Sequence, residues 1–181
     1  MNRAHILIGS NIHKKTNYLK ALRRLRAIGD ILAISTVYET APVGNPEAES
    51  FYNGVVLLKT ELDAHALKRA LRIIQIQLGR LRTADPYSPR TIDLGLVLFN
   101  HDIIDEGDVH VPDPLILRRP FLALALAEVS PQYVHPTDGR TLMEIASGFG
   151  KHPVGVRPVP TASTNARQVF DQIYREEFVH A

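Results

Sequence analysis

The sequence predicts an α+β sandwich, a mainly antiparallel sheet with helices packed on it. Three observations carry that reading. Short apolar runs, several rich in β-branched residues, recur over residues 4–8, 31–39, 51–60 and 91–99, the length of strands. Two stretches between them repeat apolar residues at helical spacing. The resulting order, strand–helix–strand–strand–helix–strand, is that of a ferredoxin-like α/β sandwich.

Residues 4–8, Ala-His-Ile-Leu-Ile, read as a buried strand stopped at Gly9. Thr16 or Asn17 can cap a helix that turns Leu19, Leu22 and Leu25 to the core and ends at Gly29. Residues 31–39 form one strand. Residues 41–50, with two prolines, a glycine and two acids, form a surface loop before the strand 51–60. Asp63 caps a second helix with Leu67, Leu71, Ile74 and Leu78 on one face, closed by Gly79. Residues 80–90 are a loop. Along the strand 91–99, Thr91, Asp93 and Gly95 share one face, and Ile92, Leu94, Leu96 and Leu98 the other. Val109–Pro112 is extended at a sheet edge, since Pro112 has no N–H for a ladder. Leu115–Glu128 is helical with a break near Pro120, Thr137–Arg140 turns, and Leu142–Ala146 makes a short helix.

Residues 1–150 thus form the main domain, and 151–181 a C-terminal linker plus short helix. Residues 151–166 are rich in Pro, Gly, Ser and Thr and read as extended linker. Val169, Phe170, Ile173, Tyr174 and Phe178 then recur at helical spacing. That stripe either packs back on its own domain or forms a homodimer contact. Removing 151–181 is expected to leave the core folded.

Composition narrows the function. A net charge of +2 argues against nucleic acid or an anionic membrane as partner. No apolar run approaches the ~20 residues that span a bilayer. The absence of cysteine excludes disulfides, thiolate metal sites and cysteine nucleophiles, and with no leader pattern the expected compartment is the cytoplasm.

The residues around 80–95 point to chemistry. Arg80, Arg82 and Arg90 are planar five-donor forks suited to phosphate oxygens. Asp93 is a hard oxygen ligand suited to Mg²⁺. Cations for phosphate beside a metal-binding carboxylate suit phosphoryl transfer. Read more plainly, Asp93 is a strand-end carboxylate paired with an arginine.

Several motifs in order resemble the 6-hydroxymethyl-7,8-dihydropterin pyrophosphokinase family of folate biosynthesis. They are Ile8-Gly9-Ser10-Asn11, Tyr38 to Gly44, Phe51-Tyr52-Asn53, Leu78 to Arg82, Pro89 to Leu94, Val111-Pro112, and Arg119 with Phe121. The resemblance covers residues 4–147. It implies Arg80, Arg82, Arg90 and Asp93 as catalytic residues, with Asp93 the Mg²⁺ ligand. It implies Thr40, Pro42, Val43, Phe51, Asn53 and Phe121 around the pterin, with Phe51 and Phe121 stacking on it and Asn53 pairing with its edge. Arg82 and Arg119 would hold the nucleotide, with His110 as a partial substitute for a family histidine. The implied co-substrate is ATP. Three positions depart from the family pattern: Gly95 and Gln75 where acids are usual, and Asp113 where histidine is usual. They bear on Mg²⁺ and ATP alike. Two functions therefore stand: pyrophosphoryl transfer from ATP to the pterin alcohol, or a diverged pterin-binding paralogue without that activity or acting on another pterin.

Overall fold

The computed structural model describes the chain except for Asn45, Arg82, Pro86, Tyr87, His180 and Ala181, and except for the side chains of residues 176–179. Its strands are β1 (Asn2–Ser10), β2 (Asp30–Ile34), β3 (Tyr38–Thr40), β4 (Phe51–Thr60), β5 (Asp93–Phe99), β6 (Ile104–Glu106), β7 (Val109–Val111) and β8 (Val156–Pro158). Its helices are α1 (Lys14–Leu25), α2 (Ala64–Gln77), α3 (Pro120–Val129), α4 (Leu142–Ser147) and α5 (Pro160–Val179). Among the described residues the main sheet has six strands in the order β5-β1-β4-β3-β8, with β2 also on β4. Every pairing in it is antiparallel. β6 and β7 form a separate hairpin. The expected α+β class and antiparallel sheet are thus observed. No helix among the described residues is long and apolar enough to cross a membrane.

Alternation along the central strands makes two cores. Ala4, Ile6 and Ile8 of β1, with Val56 and Leu58 of β4 and Leu94 and Leu96 of β5, meet α1, α2 and α5. Val55, Val97 and Leu98 meet α3 and α4 on the other face. Helices therefore cover both faces, giving three layers. Each fully buried Ile or Leu contributes roughly 1.5–3 kcal/mol. The expectation that Leu98 shares a face with Leu94 and Leu96 fails because of a β-bulge. His5 pairs with Leu98 and Ile6 with Leu96, so Val97 is the extra residue on β5. Beyond the bulge the alternation inverts, and Leu98 joins the α3/α4 core.

Local chemistry explains most element ends. Asp63 Oδ1 accepts from Ala66 N at 2.7 Å and caps α2 as expected. α1 starts earlier than expected. His13, not Thr16 or Asn17, precedes it, and buried Asn17 donates to Ile12 O at 2.7 Å from inside the helix. The single strand predicted over 31–39 is two, β2 and β3. Between them Thr36 N donates to Glu128 Oε2 at 2.8 Å and Val37 N to Ser163 Oγ at 3.0 Å, so those amides leave the ladder. The break near Pro120 is real: Pro114–Leu117 is one 3-10 turn, and Pro120 opens α3.

The segment expected as linker is structured. β8 pairs with β3, Val159 N donates to Val37 O at 2.8 Å, and α5 begins at Pro160. Ala162, Ala166 and Val169 are buried in the core beneath α1 and β2, with Phe170 and Ile173 packed beside them. Tyr174 Oη donates to the Ile31 carbonyl. Val169, Phe170, Ile173 and Tyr174 of the stripe pack on their own chain, while the Phe178 side chain lies outside the described residues. Removing 151–181 would take Ala162, Ala166 and Val169 out of the core, which argues against its being dispensable. Val169→Ala is expected to lower unfolding free energy by about 2 kcal/mol, while exposed Gln168→Ala leaves it unchanged. Urea melts of both variants check this, and equal midpoints would remove α5 from the core.

Candidate functional site

β1 lies between β4 and β5, and Gly9 pairs with Asn53 on one side and Asp93 on the other. The three sit in one row on one face. A Cβ at Gly9 would lie 3.0 Å from Asn53 Oδ1, 3.8 Å from Asp93 Cβ and 4.0 Å from Phe51 Cδ1. Glycine therefore opens the space above β1 that these side chains share.

Two loops bring arginines to Asp93. Gly79, at φ +79°, turns the chain out of α2, and Arg80 N returns to Gln75 O at 3.0 Å. The Arg80 guanidinium then donates to Asp93 Oδ1 at 2.6 Å. It also donates to Gln75 Oε1, which takes a second bond from Leu94 N at 3.2 Å. Arg90 donates to Asp93 Oδ2 at 2.9 Å, and its guanidinium lies 5.8 Å from the centre of the Phe51 ring. Asn11 holds the Arg90 backbone: Arg90 N donates to Asn11 Oδ1 at 2.7 Å, and Asn11 N to Arg90 O at 3.2 Å. Two guanidiniums on one carboxylate leave this group with one net positive charge. Gly95, two residues on, leaves room: a Cβ there meets only Leu7, at 3.7 Å.

Beside this group, Asn53 Nδ2 donates to Thr40 Oγ1 at 2.7 Å, and Phe51 is half-buried. Pro42 is half-buried and Val43 exposed in the loop that follows β3. The far end of that loop is anchored by Glu39. Its Oε1 accepts from Ser50 Oγ at 2.5 Å and Lys14 Nζ at 3.2 Å, and its Oε2 accepts from Arg157 of β8. Hydrogen bonds from Ser50 first, then Arg157 and Lys14, hold the Glu39 carboxyl down at about 2.

A cleft of about 290 Å³ opens between Arg80, Thr83, Ser88 and Arg90. Arg82 lies outside the described residues, as does Tyr87 of the same loop. Arg119 precedes α3 and Phe121 sits in its first turn, half-buried against the α3/α4 core. His110 pairs with Asp105 at 2.5 Å across the β6–β7 hairpin. Among the described residues, neither Arg119, Phe121 nor His110 makes a hydrogen bond, ion pair or ring contact with the Gly9 row. Asp113 N donates to Val97 O at 2.9 Å, at the bulge, and Asp113 Oδ1 accepts from Leu115 N at 2.8 Å. Burial pushes its carboxyl up, Leu115 N–H and Lys68 pull it down, and Asp93 adds to the rise.

The structure thus brings together Thr40, Phe51, Asn53, Arg80, Arg90 and Asp93. It adds Gly9, Asn11, Lys14 and Glu39, none of which sequence reasoning assigned a site role, and it makes Gln75, read from sequence as a lost acid near the metal, an acceptor for Arg80. The available signal was polar residues crowding the ends of β1 and β3, next to an otherwise apolar sheet.

A model of the 7,8-dihydro-6-hydroxymethylpterin-pyrophosphokinase family matches residues 5–131. The chain is 37% identical over 134 residues to the 2-amino-4-hydroxy-6-hydroxymethyldihydropteridine pyrophosphokinase of Bacillus subtilis, covering 72% of this chain and 80% of that one. It is 31% identical over 179 residues to the folic acid synthesis protein FOL1 of Dictyostelium discoideum, covering 96% of this chain but 27% of that protein. The fold is similar to that of Plasmodium falciparum HPPK-DHPS, solved with pterin and p-hydroxybenzoate. The TM-score is 0.68 at 16% identity, over 82% of this chain and 43% of that one. The chain therefore spans well under half of these last two proteins.

Glu39 yields a pH prediction. Its folded pKa, about 2, lies below the ordinary value of 4.5. Its stabilisation is therefore complete above pH 4.5 and is lost as pH falls toward 2. Glu39→Gln is expected to lower stability by about 1–2 kcal/mol near neutrality, after solvent screening. The gap to the parent should close on acidification. Denaturant melts at a series of pH values check it, and a pH-independent gap would contradict it.

Proposed function

The chain belongs to the 7,8-dihydro-6-hydroxymethylpterin-pyrophosphokinase family, and we infer that it transfers a pyrophosphoryl group from ATP to the hydroxymethyl oxygen of 6-hydroxymethyl-7,8-dihydropterin. The new bond joins that oxygen to the β-phosphorus. The bond from the β-phosphorus to the oxygen bridging it to the α-phosphate breaks, AMP leaves, and the hydroxyl proton passes to solvent. The observation that carries this reading is the Arg80–Asp93–Arg90 group set across β1 from Asn53, whose amide holds Thr40 on the next strand. Phosphate-binding charge and a heterocycle-binding amide then face one space. Family membership and the intact arginine pair favour the enzyme over a pterin-binding paralogue.

Asn53 supplies a donor and an acceptor for the edge of a flat heterocycle, and its bond to Thr40 orients the amide. Phe51 offers a ring face, and Phe121 is proposed as a second across the pocket. Arg80 and Arg90 would hold phosphate oxygens, with Arg82 and Arg119 as further cations and His110 at the margin of the nucleotide. Thr40, Pro42 and Val43 would lie along the pterin as the 41–50 loop closes over it.

Asp93 fits one Mg²⁺, because this ion keeps waters and phosphate oxygens and takes one or two protein carboxylates. Gly95 leaves that strand face without a second oxygen ligand. When bound, Mg²⁺ would supply positive charge to offset that of the phosphates. Both Asp93 oxygens accept from guanidiniums, so Asp93 would be free to hold the ion once Arg80 and Arg90 turn to phosphate. Gln75 keeps Arg80 directed at the site without adding a negative charge that would hold it back.

AMP release with 6-hydroxymethyl-7,8-dihydropterin and MgATP tests the reading, and a parent that releases none overturns it. Arg80→Ala is expected to lower kcat/KM by about 100-fold, and Arg80→Lys by less, since charge survives but the fork does not. Asn53→Ala should weaken pterin binding by roughly 1–3 kcal/mol, read by calorimetry. Gly95→Asp, which fits without steric conflict, should make nucleotide affinity more dependent on Mg²⁺. An unchanged Mg²⁺ dependence would show that position 95 does not face the metal.

A further inference from the structure

We propose that a depression at the opposite end of β1 is a second binding site, specific for a small organic anion. His5 and Gly9 lie four residues apart on β1, roughly 13 Å at the rise of a strand, so this depression is distinct from the Asp93 row. It encloses about 540 Å³, a usual size for a small-molecule pocket. Arg3 and His5 of β1, the Asn100–His101 turn after β5, and Ser130 and Tyr133 after α3 form its walls.

His5 is the observation that calls for a ligand. It is 3% exposed, and its Nε2 lies 2.8 Å from Ser130 Oγ. Its Nδ1 is buried and has no hydrogen-bond partner among the described residues. Buried ring nitrogens are normally paired, so an idle one on a residue that lines a pocket marks a place where a partner belongs. Burial, helped by nearby His101, lowers the His5 pKa to about 4, so the ring is neutral near pH 7. Whichever tautomer forms, Nδ1 keeps one unused donor or acceptor.

The surrounding walls are fixed and carry no acid. The Tyr133 ring meets His5 edge-on at 5.3 Å and lies 4.5 Å from His101. Its hydroxyl donates to Asn100 O at 2.6 Å. The Arg3 backbone is held by Asn100, Arg3 N donating to Asn100 Oδ1 at 2.9 Å and Asn100 N to Arg3 O at 2.7 Å. Arg3, His5 and His101 are basic side chains on the wall, and among the described residues no carboxylate lines it. Asp102, which follows His101, acts on the Tyr133 hydroxyl and accepts from Asn100 Nδ2 at 3.4 Å. Arg3 thus attracts an anionic group. Leu57 and Pro131, also on the wall, favour an organic body over a bare inorganic ion.

Ring-nitrogen NMR of the ¹⁵N-labelled chain tests the proposal, with sodium benzoate and inorganic phosphate as separate probes. Benzoate is expected to shift the His5 Nδ1 signal saturably in the millimolar range. Arg3→Gln, a change at an exposed side chain, should weaken that response about tenfold. Saturation by benzoate alone, lost in the variant, supports the site. An equal or stronger response to phosphate overturns the organic assignment. A His5 signal that saturates with neither probe, or an Arg3→Gln titration that matches the parent, overturns the site.

Discussion

Strand β1 is paired on both sides from Ala4 to Gly9, and its register decides which residues can meet above the sheet. The register is held by Ala4, Ile6 and Ile8, each with no exposed surface in the α1/α2/α5 core. A slip of one residue against either neighbour would turn these side chains to the wrong face. It would also carry Asn53 or Asp93 out of the row with Gly9. The stability of the core and the geometry of the site are therefore one constraint. The apolar side of β1 holds the strand in place, and the glycine on its polar side leaves room for its neighbours.

The bulge at Val97 does a second piece of positioning. It turns Val97 and Leu98 together into the α3/α4 core and leaves the Val97 carbonyl for Asp113 N. The segment that runs through Asp113 to Arg119 and Phe121 is thereby fastened to β5 two residues from Gly95. An irregularity in one strand sets where the segment carrying Arg119 and Phe121 can begin.

Residues 51–60 are readable as a strand because the apolar run at 55–58, with Phe51 and Tyr52 ahead of it, is bounded by a loop and by the Asp63 cap. The break between β2 and β3 is not readable, because its causes, Glu128 and Ser163, lie 92 and 126 residues further along the chain. α5 is masked by composition. Prolines at its start suit a first helical turn, and the small Ala162 and Ala166 pack closely without raising an apolar signal. Within the site, Arg80, Arg90 and Asp93 lie close in sequence and their types suggest their chemistry. Glu39 and Asn11 work through partners brought by other strands and loops, which no local pattern reveals. Gln75 reads as a lost charge, yet the fold uses it as a shared acceptor for Arg80 and Leu94.

The pairing of Asp93 with two arginines also gives the proposed site the make-up of a counter-ion exchanger. The carboxylate keeps two like charges side by side in the free protein, so the cationic surface is assembled before any phosphate arrives. On the proposed reaction, a triphosphate with its metal would meet partners already in use: Arg80 and Arg90 would turn from carboxylate to phosphate, and Asp93 would be released to hold the ion. Ionic contacts would then be replaced rather than created, so the net affinity would be a small difference between two large, similar terms. A phosphate without its cation would strand the carboxylate, and a cation without its phosphate would strand the arginines.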